Sequence, residues 1–331
     1  MGPCAGEGIV SDATTPATPL APTAVRDGAP APDVTGLRIA LIGYGEVGGI
    51  FGAALVKRDV AQVTAYDVLL GDASRAATLC ARAGADGVRI ADSTAAATEG
   101  ADLVISAVTA SATRDAARAI ARAMKPGTFL LDINSASPRT KEDCGAEIEL
   151  AGGRYVESAV MTSVPPYGLR VPMLLGGPHA AALVPTLAAL GFDAGVASGR
   201  FGVASAIKMC RSVIVKGMEA IVIESFVTAR RYGVEDAVLA SLAETFPGLD
   251  WEQSGDYFFS RVIRHGKRRA EEMREAAATV REAGLEPICA SAIAGRQHSV
   301  ADLAASGAFE DMRKDDRWRA LADRIGKRGS S

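Results

Sequence analysis

The sequence predicts an α/β domain with a doubly wound, mostly parallel sheet, followed by an all-helical domain. Between residues 37 and 198, short apolar runs alternate with amphipathic stretches, which is the pattern of parallel strands joined by helical crossovers. After residue 199 the β pattern ends and long helical stretches follow. The length of 331 residues fits two domains. We therefore predict an α/β domain at 37–198 and a helical domain at 199–331.

Each strand of the α/β domain is predicted from a short apolar run bounded by turn residues. The seven runs lie at 38–43, 62–67, 87–91 (the weakest), 102–108, 128–133, 154–160 and 173–177. The helices predicted between them include 74–83, 114–124 and 139–151. In the helical domain, the stretch 201–232 predicts one helix about 45 Å long. Shorter helices are predicted at 264–283 and 315–325.

Two segments have an unusual composition. Residues 1–36 are rich in Pro, Ala, Thr and Gly and lack both the basic start and the continuous apolar core of a signal peptide, so they predict a disordered leader. The stretch 171–192 has no charged residue and is long enough to span a membrane. Glycine and proline interrupt it, however, and we predict a strand, a turn and a helix there and no membrane span.

Charge, cysteine and histidine usage exclude several classes of function. The net charge is −3, with no block of Lys and Arg and no interleaving of aromatic with basic residues, which argues against a nucleic-acid partner. The five cysteines form no CxxC pair, which is typical of a reducing cytoplasm. The three histidines show no ligand spacing, so we predict no metal.

A glycine motif follows the first predicted strand and begins a helix, which is the context that dinucleotide binding requires. In the stretch "LIGYGEVGG", Gly43 would make the tight turn, Gly45 would let the backbone meet a diphosphate, and Gly48 would allow close packing of helix on strand. The helix N-terminus would supply free N–H groups to the phosphates. The alternative is a similar domain that binds another nucleotide, such as S-adenosylmethionine.

An acidic residue ends the second predicted strand, 19 residues after Gly48. This residue, Asp67, would accept hydrogen bonds from the adenosine ribose hydroxyls and would repel a 2′-phosphate. The first basic residue after it is Arg75. The sequence therefore favours NAD(H) over NADP(H), without excluding NADP(H).

The motifs that follow are similar to those of the β-hydroxyacid dehydrogenases, the family of 3-hydroxyisobutyrate dehydrogenase and 6-phosphogluconate dehydrogenase. The resemblance covers about residues 38–285, with the glycine motif first. The stretch "DINSASP" at 132–138 resembles the family's substrate motif Asp-x-Ser-Thr-x-x-Pro. By this resemblance, Asn134 and Ser135 lie near the nicotinamide and the substrate carboxylate.

The third motif, "YVESAVMTSV" at 155–164, resembles Phe-x-Asp-Ala-Pro-Val-Ser-Gly-Gly. Glu157 takes the place of the acid, and Thr162 and Ser163 replace the two glycines. That departure narrows the space in which the family's backbone amides meet a carboxylate.

The fourth motif, "GVASAIKMCRS", resembles Gly-x-Gly-x-x-x-Lys-x-x-Asn-Asn and places Lys208 at the catalytic lysine. Ala204 replaces the second glycine, and Arg211 and Ser212 replace the asparagines. The chain is most similar to a bacterial branch whose helical domain carries "KMxxSxxxKG" and, later, a stretch like "RHGKRRAEEM". The substrates of that branch are mostly unassigned.

A physical argument for Lys208 accompanies the resemblance. Lys208 lies in the apolar stretch "AIKMC", and Ser205, Arg211, Ser212 and Glu219 share its helix face. A partly buried ammonium beside another cation has a lowered pKa, as acid-base catalysis near neutral pH requires. The alternative is a surface lysine with a solvated ammonium.

Three further residues near Lys208 in sequence or motif are candidates for the site. Arg211 would clamp a substrate carboxylate or form a structural salt bridge. Ser212 would hydrogen-bond the substrate. His265 falls near the family's second cofactor-side lysine, or simply belongs to a solvated basic helix end.

The resemblance implies a Rossmann domain followed by an all-α domain like that of 6-phosphogluconate dehydrogenase, and an enzyme that oxidises a β-hydroxy acid or reduces the corresponding carbonyl. It also implies a small carboxylate substrate and a homodimer or higher homo-oligomer. The predicted cofactor-binding residues are Gly43, Tyr44, Gly45, Glu46, Val47, Gly48, Asp67, Val108, Thr109 and Ser135. The predicted substrate-binding residues are Asn134, Ser135, Thr162, Ser163, Arg211 and Ser212. The alternatives are an imine or opine-type reductase and a nucleotide-binding sensor without turnover.

Overall fold

The computed structural model describes residues 32–313 and 315–327. Residues 1–31 of the predicted leader lie outside the described residues. Residues 32–36 form irregular backbone that ends in a turn before the first strand.

An eight-stranded sheet has the order β3-β2-β1-β4-β5-β6-β7-β8, and every neighbouring pair is parallel except β6 with β7. The strands are β1 (Arg38–Ile42), β2 (Gln62–Tyr66), β3 (Arg89–Ile90), β4 (Leu103–Ser106), β5 (Phe129–Asp132), β6 (Arg154–Val160), β7 (Met173–Gly176) and β8 (Ala194–Ser198). The doubly wound, mostly parallel sheet is thus confirmed. The predicted strands omitted β8, because its sequence AGVAS has no run of large apolar residues.

Six helices accompany the strands: α1 (Glu46–Val56), α2 (Ala73–Asp86), α3 (Thr94–Thr98), α4 (Thr113–Ala121), α5 (Pro138–Leu150) and α6 (Ala180–Leu190). They cover both faces of the sheet, and β1 shows why. Ile39 and Leu41 point into a core that includes apolar residues of α1, α2 and α6. Ala40 and Ile42 point into a second core, which includes residues of α3, α4 and α5. Burial on both faces explains why the strand is continuously apolar.

The remainder of the described chain is helical, as predicted. It contains α7 (Val203–Tyr232), α8 (Glu235–Thr245), α9 (Trp251–Glu282), α10 (Ile288–Ala305) and α11 (Trp318–Lys327). The predicted helices at 201–232 and 315–325 correspond to α7 and α11. No helix in the described residues is long and apolar enough to cross a membrane.

The prediction of a short helix at 264–283 is wrong, because α9 begins 13 residues earlier at Trp251. The earlier half contains Gly255 and polar residues that weaken the helical pattern. In the fold, Gly255 lies against the indole of Trp318, and a Cβ at this position would come within 2.9 Å of that ring. Close tertiary packing therefore outweighs the poor helix propensity of glycine here.

Candidate active site

The glycine motif forms the turn between β1 and α1. Gly43 has φ +97°, and a Cβ there would collide with the carbonyl oxygen of Ala107. A Cβ on Gly48 would collide with the carbonyl oxygen of Gly43. A Cβ on Gly45 would meet nothing within 4 Å. Packing thus explains Gly43 and Gly48, whereas at Gly45 the backbone is open to an incoming ligand.

The carboxylate that ends β2 holds this turn in place. Asp67 is buried, its Oδ2 accepts a hydrogen bond from the Tyr44 amide at 2.7 Å, and its Oδ1 accepts one from the Leu69 amide at 2.9 Å. The side chain of Tyr44 is fully buried, with Arg82 over its ring and its hydroxyl donating to Asp86. The amide of Tyr44 donates to Asp67 and its carbonyl accepts from Arg82, so Tyr44 shapes the turn and does not face the cavity.

A cavity of about 380 Å³ joins this turn to the helical region. Its walls are the residues after β1, β4, β5 and β6 together with one face each of α7 and α9. Among the predicted site residues, those that line the cavity are Gly45, Glu46, Val47, Val108, Thr109, Asn134, Ser135, Thr162, Ser163, Lys208, Arg211 and Ser212. Gly43, Tyr44, Gly48 and Asp67 lie behind this lining and shape the turn.

Lys208 lies on the first turns of α7, and its Nζ donates a hydrogen bond to Ser135 Oγ at 2.6 Å. Burial, with the nearby cations Lys216, Lys141 and Arg268, lowers the pKa of Lys208 to about 8, although Glu272 opposes this change. A lysine with this pKa is present as both amine and ammonium near neutral pH, so it can accept or donate a proton.

Two residues that the predicted site omitted, Lys216 and Glu272, line the cavity together with Lys208. Lys216 is buried two turns further along α7, donates to Ser212 Oγ at 3.1 Å and pairs with Glu272 Oε2 at 2.8 Å. Burial opposes ionisation of Glu272, but Lys216, Lys208 and Arg268 lower its pKa to about 2. The spacing of 208, 212 and 216 by four residues was the signal for Lys216, because it places the three on one helix face.

Not every residue on the predicted face of Lys208 enters the site. Ser205 donates to Glu157 Oε2 at 3.0 Å, and the Ala204 amide donates to Glu157 Oε1 at 3.1 Å. The fully buried Glu157 on β6 therefore holds the start of α7, and burial raises its pKa. Glu219 does line the cavity, but it is paired with Arg269, whose Nε donates to it at 2.8 Å.

Asn134 is buried, and both ends of its amide are bonded within the protein. Its Oδ1 accepts from the Val108 amide at 2.7 Å, and its Nδ2 donates to Ser106 Oγ at 2.9 Å. The backbone amide of Asn134 donates to Asp132 Oδ1 at 2.9 Å. Asn134 thus ties the ends of β4 and β5 together directly beneath Ser135.

The other candidates differ in exposure. Thr162 and Arg211 are exposed and Ser163 is half-buried at the rim of the cavity. His265 is half-buried, next to the lining residues of α9 and outside the lining itself. Burial and the cations Arg268 and Arg261 lower its pKa, and Glu46 opposes this. Within 32–313 and 315–327, no cluster of three His, Cys, Asp or Glu side chains could hold a metal ion.

The residues at the glycine turn fit a dinucleotide. Gly45 is open to close approach, and the first turn of α1 has no side-chain cap, so its N–H groups are available to phosphate oxygens. The cavity then leads along the ends of β4 and β5 to Ser135 and Lys208. The fold and the cavity together define an NAD(P)-binding dehydrogenase fold.

Comparison with known proteins agrees with this assignment. Residues 38–179 match the NAD binding domain of 6-phosphogluconate dehydrogenase, and residues 229–300 match DUF1932, a domain of unknown function. A conserved hypothetical protein from Sinorhizobium meliloti 1021 is 36% identical, with 88% of this chain and 96% of that chain covered and a TM-score of 0.70. The conserved protein MTH1747, described as structurally similar to 3-hydroxyacid dehydrogenases, is 30% identical over 81% of this chain and 99% of its own, with a TM-score of 0.62.

A more distant solved structure shares the fold. The 3-hydroxyisobutyrate dehydrogenase of Mycobacterium tuberculosis is 20% identical, with 87% of this chain and 98% of that chain covered and a TM-score of 0.63. The chain belongs to the β-hydroxyacid dehydrogenase family.

Proposed function

We propose that the chain is an NAD(H)-dependent oxidoreductase that oxidises the hydroxyl of a small β-hydroxy acid, or reduces the corresponding semialdehyde or keto acid. The observation that carries the proposal is the hydrogen bond of 2.6 Å between Lys208 Nζ and Ser135 Oγ, in the same cavity as the open backbone of Gly45. Lys208, which would transfer the proton, thus lies in the same cavity as the turn at Gly45, where a dinucleotide would bind.

The proposed reaction uses Lys208 as general acid and base. A dinucleotide held at the glycine turn would supply the hydride acceptor for oxidation and the hydride donor for reduction. In oxidation, the neutral amine of Lys208 takes the hydroxyl proton as the hydride leaves the same carbon. In reduction, its ammonium returns a proton to the carbonyl oxygen. The hydroxyl of Ser135 fixes the direction of the Lys208 side chain.

The substrate carboxylate would bind at the rim formed by Arg211, Thr162 and Ser163. Arg211 is exposed and its guanidinium can bind two oxygens at once, and the two hydroxyls add neutral donors. Ser212 lies deeper, where its hydroxyl already accepts from Lys216 and can donate its own proton to the substrate. Asn134 acts as a positioning residue, since its amide groups are engaged within the protein.

For the cofactor, we propose that NAD(H) binds more tightly than NADP(H). Each oxygen of Asp67 accepts one backbone hydrogen bond and has a second lone pair for a ribose hydroxyl. Its neighbour Val68 is 77% exposed and carries no charge for a 2′-phosphate.

The domain limits 37–198 and 199–331 and a cytoplasmic location belong to the same proposal.

We also propose a homodimer joined through the helical region. Ile214, Ile221 and Tyr232 on α7 are 70%, 65% and 78% exposed. Ile221 and Tyr232 line a groove of about 620 Å³ between α7, α8 and α10. Exposed apolar side chains concentrated on one helix are typical of an interaction surface.

The proposal is tested by following NADH consumption with a panel of β-semialdehydes, β-keto acids and cyclic imines. We expect turnover with a carboxylated carbonyl compound and none with imines. Turnover with imines alone would identify an imine reductase. Tight NADH binding without turnover on any compound would identify a nucleotide sensor. The variant Lys208→Ala serves as the control for background oxidation.

A further inference from the structure

Helix α9 presents a stripe of polar side chains to the cavity. Tyr257, Arg261, His265, Arg268 and Glu272 follow one another at steps of four, four, three and four residues, so they share one face of the helix. All of them except His265 line the cavity, together with Gly45 and Glu46 of the glycine turn. The stripe therefore lies across the cavity from the start of α1.

Of the two arginines in this stripe, Arg261 has no ion pair or hydrogen bond among the described residues. Its Nε is buried and has no hydrogen-bond acceptor, and the part of the chain that the structure describes gives its guanidinium no ion pair. The guanidinium lies over the ring of Tyr257, with its Cζ 5.5 Å from the ring centre. By contrast, Arg269 is paired with Glu219, and Arg268 lies 3.9 Å from Glu272. Arg261 is half-buried and lines the cavity, so a ligand in the cavity can supply the partner that its guanidinium lacks.

The opposite wall offers a place for such a ligand, and its lining residues Gly45, Glu46 and Val47 include no cation, since Arg82 donates to the Tyr44 carbonyl behind this lining. Between Gly43 and Gly48, the charged residue is the exposed Glu46, and the phosphate-binding groups there are backbone amides. Glu46 and Arg261 both influence the pKa of His265: Glu46 raises it and Arg261 lowers it. The glycine turn and the Arg261 region of α9 are thus within electrostatic reach of each other across the cavity.

We propose that Arg261 is the second half of the diphosphate site, which binds the diphosphate of a dinucleotide from the side opposite to the amides of the glycine turn. The inference rests on the proposed function, because it requires a dinucleotide on Gly45. The amides would supply directed donors, and Arg261 would supply a positive charge that the cavity lining of the turn lacks. The ring of Tyr257 packs against the guanidinium, and both residues line the cavity. The helical region thereby contributes directly to cofactor affinity.

The test is the dissociation constant of NADH and of ADP-ribose, measured by fluorescence or calorimetry without substrate. Arg261→Gln should weaken both about tenfold, as the loss of one charge-assisted contact predicts. Adenosine, which has no diphosphate, should bind the variant and the wild type equally. The control is Arg264→Gln, because Arg264 is exposed on the same helix and lies outside the cavity lining. Arg261→Lys keeps the charge and should lose less affinity than Arg261→Gln; it also serves if the Gln variant does not fold.

Three outcomes overturn the inference. Unchanged affinity of Arg261→Gln for NADH and ADP-ribose would show that Arg261 does not touch the diphosphate. An unchanged NADH affinity with a raised KM for the carbonyl substrate would assign Arg261 to an acidic group of the substrate. A wild-type protein that binds neither NADH nor ADP-ribose would overturn this inference together with the proposed function. A wild type that binds NADH without turnover would refute only the proposed reaction, and the comparison of variants would still decide the role of Arg261.

Discussion

Replacing Lys216 by Met should move the pH dependence of turnover in the alkaline direction, and replacing Glu272 by Gln should move it in the acidic direction. The pKa of Lys208 is about 8, lowered by burial and by Lys216 and raised by Glu272. Oxidation requires the neutral amine, so kcat for oxidation should rise with pH to a plateau above this pKa. Reduction requires the ammonium, so kcat for reduction should fall as the pH rises through it.

The magnitude follows from the geometry of α7. Lys208 and Lys216 are eight residues apart, which corresponds to about 12 Å along the helix axis. Two unit charges at about 12 Å interact by about 1.4 kcal/mol at an effective dielectric constant of about 20. This energy corresponds to a shift of about one pH unit in the sloping part, or limb, of the curve of kcat against pH. Removing the positive neighbour favours the ammonium of Lys208, and removing the negative neighbour favours the amine.

The assay is kcat against pH for the substrate that the carbonyl panel identifies, in both directions of the reaction. Lys216→Arg is the matched control, because it keeps the positive charge and should leave the limb in place. Thermal unfolding at each pH checks the fold, since Glu272→Gln leaves Lys216 buried without its ionic partner. Limbs that stay fixed in both variants, or that move in the same direction, would refute the assignment of the limb to Lys208.

Three further changes test the rest of the proposed function. Lys208→Ala should lower kcat by about 10²- to 10⁴-fold with unchanged NADH affinity. Lys208→Arg should not restore kcat, because a guanidinium cannot act as a base. Near-normal turnover of the Ala variant would remove Lys208 from the mechanism. Val68→Arg places a cation beside Asp67 without breaking its two backbone hydrogen bonds, and it should improve KM for NADPH about tenfold relative to NADH. A wild type that already prefers NADPH would contradict our account of Asp67. Ile221→Glu should convert a dimer into monomers in sedimentation, and a wild type that sediments as a monomer would disprove the proposed interface.

The fold could be predicted from the sequence where local pattern and tertiary packing agree. The strand–glycine–helix pattern at β1 and α1, and the 30-residue α7, depend on local signals that the structure retains. The strand β8 and the first half of α9 were missed for the opposite reason. Their residues are small or polar, and their conformation depends on neighbours distant in sequence, β7 for one and Trp318 for the other.

The candidate site shows the same division. Lys208, Ser135 and the glycine turn were found because they lie in short motifs, and the structure brings Lys208 and Ser135 to 2.6 Å. Glu272 and Arg261 were not found, because they reach the cavity from α9, far in sequence from the motifs that mark the rest of the site. Arg261 also lies before residue 264, where the predicted helix began. Asp67 also accepts a hydrogen bond from the Tyr44 amide. That contact joins residues 23 positions apart, so no local sequence signal indicates it.

The departures from the family motifs bear on whether the chain is an enzyme or a sensor. Ala204 replaces a glycine, yet it lies in regular helix and packs fully buried beside Ala159 and Leu174, while its amide still bonds to Glu157. This substitution therefore leaves Lys208 in place.

The exchange of an asparagine for serine at position 212 has a comparable compensation. A serine has one donor and a shorter side chain than asparagine. Lys216, however, donates a hydrogen bond to the Ser212 hydroxyl and forms an ion pair with Glu272 in the cavity wall. Ser212 and Lys216 thus supply hydrogen-bond donors from one face of α7. A binding protein without chemistry would have no need for a lysine whose pKa is lowered to about 8 by burial and nearby cations. The retained proton-transfer group and the compensated substitutions together favour turnover over sensing.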